Sequence, residues 1–202
     1  NPAIEKPLLK LCEQMDFIQT GYAGTDSLLI QNILKTKAKV ANASGIHAIP
    51  IANYVLAQML RWNKRIDKHI DLQSHASWEA FGGDGELTFK NILILGYGGI
   101  GQEVARLSKS FGMHVTATKR TAFNCQYADS IHHPDEMLEL LPHADFIVSC
   151  LPSSKDTDDI INKATLALMK ETAMLINVGR GNVVHEDDLV EALNSNQIAC
   201  AA

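Results

Sequence analysis

The chain has 202 residues, of which 46% are hydrophobic and 20% charged, and a formal net charge of -5; it is long enough to bury one substantial core and part of a second. The acidic balance, with no run of Lys or Arg, excludes an electrostatic footprint for nucleic acid or an anionic membrane surface. No apolar stretch reaches the ~20 residues that a bilayer span requires, and Cys12, Cys125, Cys150 and Cys200 are scattered without a CxxC pair. That pattern suits free thiols in a reducing, cytoplasmic setting and offers neither a disulfide framework nor a metal site. Small molecules are the expected partners.

In chain order, the first 46 residues read as α/β material: an amphipathic segment to Met15, a strand in "DFIQT", a turn at "GYAGTD", a helix from Asp26 and a strand in "AKVANA". Over 47–70, Ile51, Val55, Leu56, Met59, Leu60 and Trp62 recur at helical spacing, which predicts a helix burying one apolar face. Residues 72–90, with "FGGDGE", read as a loop or linker. From Asn91 the pattern is regular: strand "ILILG", helix from about Gly99 to Phe111, strand "MHVTAT", helix after Pro134, strand "DFIVSCLP", helix after Asn162, strand "AMLINVG" and helix from Glu186. Continuous apolar strands alternating with amphipathic helices predict a parallel sheet covered on both faces, a doubly wound α/β fold. The closing "QIACAA" has the pattern of a strand just begun, and the chain opens Asn1-Pro2, so both ends are expected to be cut.

The loop "GYGGIG" sets Gly96, Gly98 and Gly101 in G-x-G-x-x-G register after a strand and at the mouth of a helix. Gly96 permits a tight turn, Gly98 lets backbone approach a pyrophosphate, and Gly101 allows close packing of helix on strand. Tyr97, Gly99 and Ile100 complete a dinucleotide-binding loop whose helix N-terminus offers N–H groups to phosphates. A merely glycine-rich turn is the plain alternative. A dinucleotide fold usually carries an acid about 20 residues on, for the adenosine ribose hydroxyls; here that place holds Lys119, followed by Arg120 and Thr121. A carboxylate there would repel a 2'-phosphate, whereas this pair with the Thr121 hydroxyl would bind it by charge-assisted hydrogen bonds. The reading is therefore NADP, with NAD as the alternative cofactor and a solvated surface pair as the bland explanation.

Over nearly its whole length the sequence resembles the D-isomer-specific 2-hydroxyacid dehydrogenases. "LGYGGIGQEVARLSKSFGMHV" resembles the family's nucleotide loop and helix, with Gly99 where many members carry a longer residue. The stretch from "HADFIVSCLPSSKDTDD" through "AMLINVGRGNVVHEDDL" resembles its long signature, with Pro152, Thr157, Met169, Lys170 and Asn177 to Gly181 as landmarks. "FIQTGYAGTD" and "VANASGIHAIPIANYVLAQML" resemble the end of the substrate domain and the helix after it, although Asn53 stands where members commonly have Glu and His47 where many have Asn.

The resemblance implies a Rossmann domain over 47–202, truncated at its C-terminal end, and part of a second, flavodoxin-like substrate domain over 1–46. It implies a homodimer formed through the 48–70 segment, Arg180 of "NVGRG" as the catalytic arginine that holds the substrate carboxylate, and amides around Ala23 and Gly24 that hold it too. Cys150, Leu151, Pro152, Thr157, Val178 and Gly179 would line the nicotinamide half. Its Glu-His proton donor is expected beyond Ala202, and none of the eight histidines matches that motif. Independently, an arginine after a strand at the carboxyl edge of a parallel sheet suits bidentate carboxylate binding. Cys150 has no base placed to make it a nucleophile, and Glu186, Asp187 and Asp188, like Asp135 and Glu136, read as first-turn helix residues rather than a catalytic dyad. The expected function is hydride transfer between NADP(H) and a small 2-keto acid or D-2-hydroxy acid, glyoxylate or hydroxypyruvate being plausible substrates. The alternatives are an NAD-dependent phosphoglycerate dehydrogenase-like enzyme and a non-catalytic, dinucleotide-sensing corepressor-like protein.

Overall fold

In the computed structural model, which describes residues 2–24, 28–80, 85–121 and 126–202, the chain divides into two units, Asn1–His47 and Ala48–Ala202. The first unit holds α1 (Pro2–Cys12), β1 (Phe17–Gln19), α2 (Leu28–Ile33) and β2 (Lys39–Ala41). Its two strands run parallel, Phe17 opposite Lys39, and its small core gathers Cys12 and Ile33 with Leu9, Ile18 and Val40. The expected start of a helix at Asp26 falls outside the described residues.

The second unit opens with α3 (Ala48–Asn63), where Pro50 sits in the first turn and so costs no internal hydrogen bond. This helix buries Ala52, Val55, Leu56 and Met59. The single helix expected over 47–70 is in fact two: Arg65 adopts the left-handed region at φ 50° and α4 (Ile66–Ser74) starts after it. Spacing alone cannot reveal such a break, because apolar residues keep recurring across it. Nor are residues 72–90 all linker, since α4 runs to Ser74 and Leu87 is buried in the core.

Next come β3 (Asn91–Leu95), α5 (Gly99–Ser110), β4 (His114–Thr118), β5 (Ser130–His132), α6 (Met137–Leu140), β6 (Phe146–Ser149), α7 (Lys163–Leu166), β7 (Met174–Asn177), α8 (Glu186–Asn194) and β8 (Cys200–Ala201). The strands form one parallel sheet in the order β5-β4-β3-β6-β7-β8. Alternate residues feed two cores: Ile92 and Ile94 of β3 join Val55, Met59, Val104 and Val148 on one face, while Leu93 and Leu95 join Leu141, Ile147, Leu166 and Leu175 on the other. A strand buried on both faces reads as an unbroken apolar run, which is why "ILILG" was legible. Burying each such side chain contributes about 1.5–3 kcal/mol.

Strand β5 was not anticipated. Its three residues are only partly buried and lie at the sheet edge, so they carry no apolar run, and a local pair secures them: the Asp129 N–H donates to the Val115 carbonyl at 2.8 Å and its carboxylate accepts from Val115 N–H at 2.7 Å. A second carboxylate fastens the sheet's start. Asp145 accepts from the Asn91 N–H at 2.8 Å and from Lys170 Nζ at 2.9 Å. Burial pushes its carboxyl up, but those two donors hold it below the usual carboxylate range.

The order reverses between β3 and β6, since the chain builds outward from β3 through β4 to β5 and then returns to β3's other side. Loops leaving the carboxyl ends of β3 and β6 therefore diverge and open a crevice, the place where open α/β sheets hold ligands.

Candidate functional site

The glycine loop lies at this crevice. Tyr97 N–H donates to the Thr118 carbonyl at 3.1 Å and Gly96 N–H to Thr118 Oγ1 at 3.4 Å, tying the end of β3 to the end of β4. Gly96 takes φ +94°, and a Cβ there would lie 3.3 Å from the Cys150 backbone; at Gly101 a side chain would run into the Gly96 carbonyl. These two glycines let backbone pack on backbone. Gly98 differs, having nothing within 4 Å of a Cβ position, so the backbone at the start of α5 faces open space. No side chain caps that helix end, which leaves the positive end of its dipole facing that space.

Side chains take over one strand away. Lys119, Arg120 and Thr121, with Gly96, Tyr97, Gly98 and Pro152, line a cavity of ≈ 290 Å³. Arg120 also lines an adjoining cavity of ≈ 390 Å³ with Leu151, Pro152, Thr157 and residues of the turn after β5. Thr157 thus shares this cavity with Leu151 and Pro152, two of the residues with which the sequence reading grouped it. Its hydroxyl donates to the Pro152 carbonyl at 2.6 Å and accepts from the Ser154 N–H at 2.9 Å, so it also holds the loop in shape. Cys150 N–H donates to the Leu95 carbonyl at 2.8 Å; burial pushes its thiol up to about 12, which removes it as a nucleophile at neutral pH.

At the end of β7, Asn177 organises the next loop: its Oδ1 accepts from Gly179 N–H at 3.1 Å and its Nδ2 donates to the Arg180 carbonyl at 2.9 Å. Val178 N–H reaches the Ser149 carbonyl at 3.0 Å, and a side chain on Gly179 would meet the Leu151 backbone, with its N at 2.9 Å. The loop therefore packs on the one after β6 and carries a half-buried Arg180, whose Nη1 donates to the Gly179 carbonyl at 3.2 Å. Asn182 clasps the same two loops together, donating to Ser153 Oγ at 2.7 Å and to the Asp158 carboxylate. Asn177 was noted in the sequence only as a landmark and Asn182 not at all; the amide on either side of an Arg-Gly pair in "NVGRGN" is the signal that would have found them.

Ala23 and Gly24 belong to the first unit, where the Ala23 carbonyl accepts from Asn42 Nδ2 at 2.8 Å. The first turn of α8 carries Glu186, Asp187 and Asp188, and the turn after β5 carries Asp135 and Glu136, so both acidic groups serve helix starts. Among the described residues no helix is long and apolar enough to cross a membrane.

An open backbone cradle, an uncapped helix start and a basic rim within one crevice fit a dinucleotide. Comparison with known proteins agrees. Residues 56–202 match the family described as "D-isomer specific 2-hydroxyacid dehydrogenase, NAD binding domain". The chain is 28% identical over 202 residues to a D-3-phosphoglycerate dehydrogenase of Methanocaldococcus jannaschii, covering 98% of this chain and 38% of the relative. It is 28% identical over 210 residues to a hydroxypyruvate reductase of Blautia hydrogenotrophica, covering 97% of this chain and 63% of the relative. A solved D-isomer specific 2-hydroxyacid dehydrogenase family protein from Aeromonas salmonicida superposes with a TM-score of 0.86 at 29% identity, covering 100% of this chain and 64% of that one. The chain thus spans less than two thirds of each.

Proposed function

From the premise that the chain belongs to the D-isomer specific 2-hydroxyacid dehydrogenase family through its NAD-binding domain, we propose that it serves an NADP-preferring oxidoreductase that interconverts a small 2-keto acid and its D-2-hydroxy acid. The observation that carries the cofactor preference is the pair Lys119 and Arg120, which lines the cavity beside Gly98 where an acid would otherwise meet the ribose hydroxyls. When bound, the nicotinamide supplies the hydride. The chain's own residues bind and orient. Amides at Gly98, Gly99 and Ile100 hold the pyrophosphate; Lys119, Arg120 and Thr121 hold the 2'-phosphate; and Cys150, Leu151, Pro152, Val178 and Gly179 flank the nicotinamide as apolar or backbone surface. Arg180, fixed through its own backbone by Asn177, pairs its planar guanidinium with the substrate carboxylate and so sets the keto carbon against the hydride donor.

Glyoxylate and hydroxypyruvate are the substrates this reading favours, because both are small 2-keto acids and the Blautia relative is a hydroxypyruvate reductase. The Methanocaldococcus relative supports a second reading, an NAD-dependent phosphoglycerate dehydrogenase. We further assign the exposed apolar residues of α3 and α4, Ile49, Tyr54, Trp62, Ile66 and Ile70, to a homodimer interface and expect a cytoplasmic location. Fluorescence titration of the protein with NADPH and NADH, followed by turnover on glyoxylate, hydroxypyruvate and phosphohydroxypyruvate, separates the readings. NADPH binding about tenfold or more tighter supports ours; equal or tighter NADH binding ends it. Nucleotide binding by the full-length protein without turnover on any 2-keto acid would point instead to a dinucleotide-sensing regulator.

A further inference from the structure

Arg180 hangs between two fastened points. On one side, Asn177 Nδ2 donates to the Arg180 carbonyl at 2.9 Å, and Gly179 packs so closely on the Leu151 backbone that a side chain would not fit. On the other side, just past Gly181, stands Asn182, an exposed amide to which the nucleotide assignment gives no role.

Asn182 reaches the loop after β6 at three points. Its Nδ2 carries two hydrogens; one meets Ser153 Oγ at 2.7 Å and the other the Asp158 carboxylate. Its carbonyl accepts from the Asp159 N–H at 2.8 Å. Between Ser153 and Asp158 the loop makes a single turn, in which the Thr157 and Asp158 N–H groups both donate to the Ser154 carbonyl, at 3.0 and 2.9 Å. The amide therefore bridges the two ends of that turn. Asp159, the residue after it, takes φ 49°, a left-handed conformation that residues other than glycine adopt at a cost and keep where their surroundings enforce it. Further along, Ile161 N–H donates to the Val183 carbonyl at 3.0 Å and His185 N–H to the Ile161 carbonyl at 2.8 Å, so the two loops stay joined beyond the clasp.

The same turn supplies Pro152, Ser154, Asp156 and Thr157 to the ≈ 390 Å³ cavity that Arg120 also lines. One amide thus ties the wall of the nucleotide cavity to backbone two residues from Arg180. A neutral amide suits the place, because it donates to the Asp158 carboxylate where an acid would meet it with like charge.

We propose that Asn182 is a positioning residue: by clasping Ser153 and Asp158 it fixes the Arg180 loop against the wall of the nucleotide cavity, so that the guanidinium and the bound cofactor meet the keto acid in one register. The inference rests on the role given above to Arg180. The clasp touches neither the glycine corner nor the basic pair, so its loss acts on substrate geometry and leaves nucleotide affinity in place.

Steady-state kinetics of the full-length protein on glyoxylate and hydroxypyruvate, with NADPH affinity from fluorescence titration, tests it. Asn182→Asp sets a second carboxylate against the first, and kcat/KM for the keto acid falls about tenfold with KM raised. Its NADPH Kd stays within about twofold, the spread of a surface substitution that touches no ligand. Asn182→Ala removes the clasp without adding charge and shows the same split at about threefold. Adding Asp158→Asn to Asn182→Asp reverses the polarity of the clasp: the amide at 158 donates to the carboxylate at 182, and Ser153 Oγ turns from acceptor to donor. That double variant recovers kcat/KM to within about threefold of the wild type, a coupling that independent sites would not show. Wild-type kcat/KM in Asn182→Asp, NADPH affinity lost in step with kcat/KM, or a double variant no better than Asn182→Asp each overturns the role of Asn182 while leaving the reaction in place. A wild type that reduces no 2-keto acid overturns the reading of the reaction itself, and the assignment of Asn182 with it.

Discussion

At the carboxyl end of β3 the chain presents backbone; at the carboxyl end of β4, the neighbouring strand, it presents side chains. The glycine corner is closed by contact, with Gly96 against the Cys150 backbone and Gly101 against the Gly96 carbonyl, and its donors are peptide groups held by a helix start. The basic rim is made of partly or fully exposed residues, Lys119, Arg120 and Thr121. Backbone donors are the same whatever the sequence, so the corner suits the pyrophosphate that all dinucleotides share. Exchangeable side chains suit the one position at which NAD and NADP differ. The two regions should therefore fail in different ways.

Gly101→Val should break the corner most severely, because the added carbons meet a carbonyl that belongs to a packed loop. We expect a stability loss of about 3 kcal/mol, read as a fall in Tm of roughly 6–12 °C. Lys119→Asp combined with Arg120→Ala should leave Tm nearly unchanged and shift the NADPH to NADH affinity ratio by about 100-fold, since two cations are lost and a repulsive carboxylate gained; an unchanged ratio would assign the pair to solvent. Arg180→Lys keeps the charge but loses the planar fork, and in the full-length protein kcat/KM should drop about 30-fold with nucleotide affinity intact.

Asp145 tests the sheet beneath both regions. Its folded carboxyl lies below the usual range, so its contribution to stability is present above the unfolded value of about 3.9 and is lost as pH falls through the lower, folded value. Asp145→Asn should destabilise by about 1–2 kcal/mol at neutral pH, and the gap from wild type should narrow in acid unfolding curves below about pH 4. Gly98→Ala should have the smallest structural effect. Nothing stands within 4 Å of its Cβ, so stability should stay within about 0.5 kcal/mol, whereas nucleotide affinity should fall about tenfold if the backbone there meets phosphate.

The same contrast explains what could be read from the chain. The strands "ILILG", "DFIVS" and "AMLIN" and the loop "GYGGIG" were legible because their signals are local: a run buried on both faces, or a glycine where φ is positive or packing is too close for a Cβ. The beginning of β8 in "QIACAA" was legible from its apolar residues, although Cys200 and Ala201 are only partly buried. Strand β5 was not, since an edge strand with half-exposed Ser130, Ile131 and His132 takes its identity from the Asp129 and Val115 pairing across the sheet. The break at Arg65 left the apolar spacing undisturbed. Thr157 was reachable only through resemblance, and no local pattern sets His133 beside Lys119, which the pairing of Thr118 with His132 does.

Taken alone, the sequence determined the parallel α/β architecture, the tight glycine corner and the identity of the charged residues, because period, glycine placement and residue type are properties of neighbours along the chain. Tertiary structure decided which side chains share a cavity: Arg120 with His133, Asp135 and Thr157, brought from three separate stretches by strand order. That sharing depends on the reversal between β3 and β6, a long-range choice of sheet position that backbone pairing makes and no local pattern encodes.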